Sequence, residues 1–159
     1  MLLMSLICNH SLVDQPMSLV ENLNMRETVR AVIVDKHQRI FLVQHREKNL
    51  GDTGKWGTPG GGIDQTDLDH AHALTRELSE EFGQQVVLQI EIGPKLRVNH
   101  RPDRVDYFYA VKFFGNSITP QVPDEILNFG WFTLREADDL KLFFGFEAEL
   151  AAEVSKSFE

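Results

Sequence analysis

The chain has 159 residues, one cysteine and a formal net charge of -8 at pH 7. This length suits one domain with a sizeable core, and the acidic balance argues against the basic footprint that nucleic-acid binding requires. Because Cys8 is the only cysteine, an intrachain disulfide and a multi-cysteine zinc site are excluded. We expect a cytoplasmic protein without a nucleic-acid partner.

The chain opens with a short apolar stretch, MLLMSLIC. It lacks the basic start of a signal peptide, and it is shorter than the ~18 apolar residues of a membrane-spanning helix. Two interpretations of residues 1–24 stay open, because Met17 and Met25 both lie close to the first strand. They form a loosely attached extension, or they are an artefact of an early translation start. We expect no membrane partner and a main domain over residues 25–159.

Strand patterns dominate the next part of the chain. Residues 28–35 and 39–44 are β-branched and apolar, and a polar turn between them predicts a hairpin. A glycine-containing loop, 47–55, follows. Residues 56–59 then predict a short strand that leads into three glycines, 60–62, where the backbone can adopt positive φ or approach a ligand closely.

A helix is predicted to begin after Asp67 or Asp69, since either residue is a good N-cap. It ends at Gly83, a natural residue to follow a helix C-terminus. Apolar residues recur at spacings of three and four and form one stripe for the core. These residues are Ala71, Leu74, Leu78 and Phe82.

Three glutamates crowd the last turns of this helix. Glu77 is a surface neighbour of Glu80 and Glu81, and such like-charged pairs repel by a few tenths of a kcal/mol. The glutamates also lie near the negative end of the helix dipole. Apart from Arg76, no basic residue follows until Lys95. The pattern therefore indicates a missing positive charge, for which a divalent metal ion is the obvious candidate.

The remaining patterns predict strands at 85–92, 105–114 and 130–133, and helices at 135–140 and 146–155. No internal repeat or linker interrupts them. Together the elements predict a mixed α+β domain, with strands on both sides of one central helix.

The glutamate segment resembles the box of the Nudix (MutT-like) hydrolases, commonly written G-x5-E-x7-R-E-U-x-E-E-x-G-U, where U is aliphatic. The matching residues are Arg76, Glu77, Leu78, Glu80, Glu81 and Gly83. The preceding W-x-x-P-G-G, residues 56–61, resembles the family's usual approach to the box. The resemblance covers roughly residues 28–140, and the box is a highly specific motif.

Two positions depart from the family pattern. Counting back from Arg76 puts the first glutamate of the box on Leu68, whereas counting forward from the glycines puts it on Asp67 with one residue inserted. We favour Asp67, because an acidic N-cap is kept and the insertion stays in a loop. Gln84 stands where the pattern has an aliphatic residue.

The resemblance implies a fold, a metal and its ligands. The fold would be an α/β/α sandwich with a mixed sheet and the box helix packed against it. The metal would be Mg²⁺, with Mn²⁺ as a substitute, and it prefers oxygen ligands. Glu77 and Glu81 would bind it together with the Gly60 carbonyl, and Glu125 is a candidate ligand from outside the box.

The resemblance also implies an activity, the hydrolysis of a nucleoside diphosphate linked to another moiety. Glu80 would be a metal ligand or the base acting on water, and Arg76 would orient the glutamates. A nucleotide sensor without catalysis is the alternative. The isomerase branch of the fold is disfavoured, because it needs an active-site cysteine and Cys8 lies outside the core.

Basic residues outside the box are candidates for binding a small nucleotide-derived substrate. Residues 95–104 form a basic cluster in which one or two of Arg97, Arg101 and Arg104 would contact phosphates or a base. A solvated hairpin loop is the other interpretation of this cluster. Arg46 follows a predicted strand and is a further candidate.

Several other residues have simpler explanations. His70 and His72 are two positions apart and so point to different helix faces, which disfavours a shared metal. Trp56 and Trp131 are expected to pack rather than to stack on a base. For the phenylalanines at 143, 144 and 146, core packing and a homodimer surface both stay open.

Overall fold

The strands of the chain form one mixed sheet in the computed structural model, which describes residues 25–46 and 54–157. In chain order the elements are β1 (Arg26–Asp35), β2 (Ile40–His45), β3 (Gly60–Gly62), α1 (His70–Phe82), α2 (Gln84–Val87), β4 (Ile90–His100), β5 (Arg104–Phe113), β6 (Ile126–Phe132), α3 (Leu134–Asp138) and α4 (Glu147–Lys156). None of these helices is long and apolar enough to cross a membrane.

The sheet has the order β4-β5-β1-β2-β6, and β1 and β5 are its parallel pair. Strand β1 has two antiparallel partners along one side. Near its end, Val34 pairs with Ile40 of β2, which confirms the predicted hairpin. Nearer its start, residues 28–30 pair with the glycines of β3. The chain segment 57–62 therefore lies between β1 and β2 where the hairpin opens.

Alternating side chains give the sheet two buried faces. In β1, Val29, Ala31 and Ile33 belong to the core cluster that contains the α1 side chains. Val32 and Val34 belong to a second cluster with residues of α3 and α4. Successive strand residues point to opposite faces, so a short apolar strand can supply both cores. The resulting helix–sheet–helix layers confirm the predicted α+β sandwich.

The segment 85–92, predicted as a strand, begins as a helix, so that part of the prediction was wrong. Gly83 has φ 87 and ends α1, and the chain then forms the short helix α2. The β-branched residues Val86 and Val87 favour a strand by propensity, but packing against α1 overrides it. Strand β4 begins only at Ile90.

Three further details of the structure differ from the sequence predictions. Strand β6 begins at Ile126 rather than at residue 130. The basic cluster 95–104 lies mostly within β4 and the start of β5, so it is not simply a hairpin loop. On α1 the buried stripe uses Ala73 where Ala71 was predicted, because Ala71 faces solvent.

Aromatic side chains pack as the sequence predicted. The ring of Trp131 stacks on Phe113 at 5.5 Å between centroids, and Trp56 contacts Phe132 edge-on at 4.9 Å. Phe144 and Phe146 both contact the buried ring of Phe108. These contacts favour core packing for the last two residues.

A buried carboxylate holds the turn that precedes α4. Glu147 is fully buried, and its two oxygens accept hydrogen bonds from the backbone N–H groups of Phe144 (2.8 Å) and Phe146 (3.0 Å). Gly145 between them has φ 85, so the chain reverses tightly here. Glu147 thus satisfies two partly buried backbone donors that would otherwise lack partners.

Replacing Glu147 with Gln is expected to destabilise the protein by about 1–3 kcal/mol, because one N–H loses its acceptor and faces an amide NH₂ instead. Urea unfolding measures this change in the free energy of unfolding. Glu153→Gln, at an exposed position of the same helix, is the control and is expected to change it by less than ~0.5 kcal/mol. Equal stability of the two variants would contradict the role of Glu147.

Candidate active site

Two cavities of opposite charge adjoin where β1 and β2 separate around β3. The acidic cavity has a volume of about 290 Å³ and the basic cavity about 240 Å³. Both are lined by Arg26, His45, Gly60 and Gly61. The two cavities therefore lie side by side across the glycine strand.

The acidic cavity brings together the carboxylates that the sequence singled out. Its acidic lining residues are Glu77, Glu80, Glu81 and Glu125. The first three come from α1 and the fourth from the segment before β6. Gly60, the predicted carbonyl ligand, lines the same cavity.

Glu81 is the most deeply buried of these carboxylates, with 6% of its surface exposed. Its Oε2 accepts a hydrogen bond from the Gly60 N–H at 3.2 Å, and its Oε1 lies 3.9 Å from His45 Nε2. Burial raises the pKa of Glu81 to about 8, and the nearby Glu77 charge adds to the shift. The charged form thus lacks a sufficient counter-charge in the protein alone.

Glu77 lies against the backbone of β3. A Cβ added to Gly61 would be 2.2 Å from Oε2 of Glu77, so the glycine leaves the space that this carboxylate fills. Burial raises the pKa of Glu77, while its hydrogen bond from Arg76 opposes the shift. Both buried carboxylates of the cavity are therefore disfavoured as anions without a cation.

Arg76 connects the start and end of the box helix. Its Nε and one terminal nitrogen form a two-point pair with Asp67, at 3.1 and 2.8 Å. The other terminal nitrogen contacts Glu77 at 2.9 Å and Glu80 at 3.3 Å. These bonds raise the pKa of Arg76 and lower that of Asp67. The contacts agree with an orienting role, since a two-point arginine–carboxylate pair restricts geometry.

Asp67 was aligned with the first glutamate of the box because it was expected to cap the helix, and that expectation was wrong. The N-cap is Asp69, whose side chain accepts the His72 N–H at 2.8 Å. Asp67 holds Arg76 instead. Its acidic side chain therefore has a structural use that does not depend on capping.

The two helix histidines contact different partners. His70 Nδ1 lies 2.8 Å from the Tyr109 hydroxyl, and His72 Nδ1 lies 3.0 Å from Asp67. The structure therefore places the two imidazoles in separate environments, as their sequence spacing indicated.

The acidic cavity suits a hard divalent cation by its donor chemistry, since carboxylates and a backbone carbonyl are the oxygen ligands that Mg²⁺ prefers. Over residues 25–46 and 54–157, no three His, Cys, Asp or Glu side chains converge closely enough to hold an ion as they stand. Arg76 draws Glu77 and Glu80 towards itself. These two carboxylates are therefore held in place by Arg76.

Most residues of the basic cavity were not predicted from the sequence. Its cationic lining residues are Arg26, Arg30, Lys55 and Arg104, and only Arg104 was predicted. Burial lowers the pKa of Arg30, whose Nε lies 3.8 Å from the buried Asp106. One signal was available. Arg26, Thr28 and Arg30 alternate along β1 and thus share a face of the strand.

The other predicted substrate-binding arginines lie elsewhere. Arg46 Nε donates to the Asp124 carbonyl at 2.9 Å. The Arg101 guanidinium lies over the Phe143 ring, 5.4 Å from its centroid. Neither side chain lines the two cavities, and a substrate contact remains a prediction for both.

His45 and Thr58 are also site residues that the sequence did not indicate. His45 ends β2 at a register shift and lines both cavities. Burial lowers its pKa to about 4, and the positive charge of Arg30 adds to the shift, so the imidazole is neutral near pH 7. Thr58 lines the basic cavity with a buried hydroxyl. Strand packing places these two residues at the cavities, and local sequence does not specify that packing.

The fold and this box helix define a class of protein. The family model of the NUDIX domain matches residues 24–154, and the chain therefore belongs to the Nudix family. A comparison with curated proteins finds no match.

Solved structures show the same fold. A MutT Nudix hydrolase from Burkholderia pseudomallei is 26% identical, with a TM-score of 0.61, over 79% of this chain and 96% of that one. A Nudix-family hydrolase from Clostridium perfringens is 18% identical, with a TM-score of 0.66, over 86% and 100%. The Nudix domain of Shewanella oneidensis NrtR, solved with ADP ribose, is 24% identical, with a TM-score of 0.64, over 85% and 89%.

The pKa of Glu81 leads to a testable pH dependence in the metal-free protein. Its folded value of about 8 lies above the ordinary 4.5, so between these values the folded protein retains a proton that the unfolded chain has lost. Stability should therefore fall as pH rises from about 5 to 8. Glu81→Gln removes this titration, and its urea unfolding in EDTA should show a smaller loss. Identical pH profiles for the two proteins would refute the shifted pKa.

Proposed function

We propose that this protein is a Mg²⁺-dependent hydrolase that cleaves the diphosphate bond of a nucleoside diphosphate linked to a second moiety. The observation that carries the proposal is that four glutamates line one cavity beside the backbone of β3. Membership of the Nudix family supports the same chemistry. Mn²⁺ is expected to substitute for Mg²⁺, since both prefer oxygen ligands.

Within this proposal Glu77, Glu81 and Glu125 supply carboxylate ligands, and Gly60 supplies its carbonyl oxygen. In the structure that oxygen lies 3.4 Å from a terminal nitrogen of Arg30, a long contact that leaves it available as a ligand. A divalent ion, when bound, would neutralise phosphate charge and acidify a water molecule. The raised pKa values of Glu77 and Glu81 support this assignment, because a nearby cation stabilises their charged forms.

Glu80 is the proposed base, or alternatively a further ligand. It is the most exposed carboxylate of the three on α1, with 59% of its side chain accessible, so water can reach it. As a base it would accept the proton of the attacking water. Arg76 positions Glu77 and Glu80 rather than contacting substrate, since its nitrogens are occupied by the carboxylates and by the Gly62 carbonyl.

The substrate is proposed to be a nucleotide derivative. The MutT hydrolase and the domain solved with ADP ribose support this class. Nucleotide sugars, ADP-ribose, dinucleoside polyphosphates and nucleoside triphosphates are the compounds to screen with Mg²⁺ or Mn²⁺. Arg104 lines the basic cavity beside the proposed metal site and is the best placed of the predicted phosphate contacts.

Replacing Glu80 with Gln tests the catalytic role. Loss of a general base is expected to lower kcat by about 10²- to 10⁴-fold. The thermal unfolding midpoint should stay near that of the wild type, because the side chain is largely exposed. Glu91→Gln, at an exposed position of β4, is the matched control and should retain full turnover. Undiminished turnover in Glu80→Gln would remove the basis for this role.

Gly61→Ala tests the ligand role of Glu77. The new methyl group would occupy the position of the Glu77 carboxylate and displace it. Because disturbing the shell around a metal ligand costs about 10- to 100-fold in affinity, Mn²⁺ binding should weaken by that factor in calorimetry. Gly57→Ala is the control, since its nearest atom would be at an ordinary 3.5 Å from the added Cβ. Equal affinities in the two variants would exclude Glu77 as a ligand.

A nucleotide sensor without catalysis remains the second candidate. The similarity to a Nudix domain that binds ADP ribose is the observation that favours it. Nucleotide binding without metal-dependent hydrolysis, across the whole substrate screen, would support the sensor and reject the hydrolase.

A further inference from the structure

Unpartnered polar atoms are concentrated in the basic cavity. Four buried side-chain atoms of its lining have no hydrogen-bond partner among the residues that the structure describes. They are Arg30 Nε, His45 Nε2, Thr58 Oγ1 and Arg104 Nε. Buried polar groups in native proteins are nearly always hydrogen-bonded. Four exceptions in one cavity therefore indicate a ligand that supplies the missing acceptors.

The charge of the cavity selects the kind of ligand. Four cationic residues line it, and no described lining residue is acidic. Two buried carboxylates interact with Arg30: Asp106, which lies 3.8 Å from it and accepts the Thr28 hydroxyl at 2.6 Å, and Glu81 of the acidic cavity. Asp103 contacts Arg104 at 3.3 Å from the exposed side. The excess of positive charge therefore faces the cavity.

Thr58 makes this an organised site rather than a general basic surface. Only 1% of its surface is exposed, yet its hydroxyl has no partner in the described parts of the chain. Guanidinium groups and hydroxyls together provide several donors at fixed positions, which suits an oxyanion with several acceptor oxygens. Phosphate is the oxyanion that matches this donor set and charge.

We propose that the basic cavity binds a phosphate group without a metal ion, as a subsite separate from the acidic cavity. His45, Gly60 and Gly61 line both cavities, so a group held here lies next to the diphosphate that the proposed function places in the acidic cavity. Resting on that function, the subsite favours substrates with a phosphate beyond the diphosphate that is cleaved. Substrates with a neutral moiety would leave it unused.

Inorganic phosphate in EDTA tests the subsite directly, because EDTA removes the metal ion through which the acidic cavity would bind a phosphate group. Calorimetry and thermal unfolding should show phosphate binding to the wild-type protein. Thr58→Val should weaken it about tenfold, since a hydrogen bond to a charged group is lost. Without phosphate this variant should be no less stable than the wild type, because the removed hydroxyl had no partner.

Thr75→Val is the matched control. The Thr75 hydroxyl donates to the Ala71 carbonyl on α1, away from the basic cavity, so this variant should bind phosphate like the wild type. Arg104→Met provides a second test that removes charge from the cavity, and it should also weaken binding about tenfold. Absence of phosphate binding in EDTA, or wild-type binding by both Thr58→Val and Arg104→Met, would overturn the subsite.

A kinetic comparison connects the subsite to the substrate. For Thr58→Val, kcat/KM should fall about tenfold more with nucleoside triphosphates than with nucleotide sugars whose sugar is neutral. An equal fall for both classes would overturn the substrate preference. If the protein is not a hydrolase, no substrate is hydrolysed. The wild-type protein should then still bind phosphate in EDTA, and Thr58→Val should still bind it more weakly.

Discussion

The close packing of β3 against β1 is the constraint on which the site depends. Gly60 has φ 134, and an added Cβ would lie 2.1 Å from the Val29 carbonyl oxygen. Only a residue without a side chain can follow this path. The packing brings the Gly60 N–H to Glu81 and leaves room for Glu77 beside Gly61. It also keeps β1 and β2 apart, and both cavities lie in the space between them.

The two cavities have opposite charges because different elements supply their side chains. Helix α1 contributes three carboxylates to one cavity, whereas β1 and β5 contribute arginines to the other. Arg30 is partly buried and Glu81 is buried beside this boundary, and each carries a pKa shifted towards its neutral form. Burial penalises the charged form of either sign. Ions of opposite charge on each side, a cation and an oxyanion, would relieve these penalties.

The box helix could be predicted because helical periodicity depends only on residues close together in the sequence. Spacings of three and four place Leu74, Leu78 and Phe82 in the core and the glutamates beside it, whatever the rest of the chain does. Glu125 also lines the acidic cavity, although only the family resemblance indicated it, and its role as a metal ligand stays a prediction. The helical start of the segment 85–92 could not be predicted, since β-branched residues there favour a strand until packing against α1 decides otherwise.

By itself the sequence determined the class of fold and the crowding of like-charged glutamates on the box helix, because helix periodicity and like-charge repulsion act between near neighbours. Only the tertiary structure decided that Arg26, Arg30, Thr58 and Arg104 line one cavity. These residues come from separate segments, and the pairing of β1 with both β3 and β5 brings them together. Local alternation places residues on one face of a strand, but strand pairing over long chain separations decides which residues share a cavity.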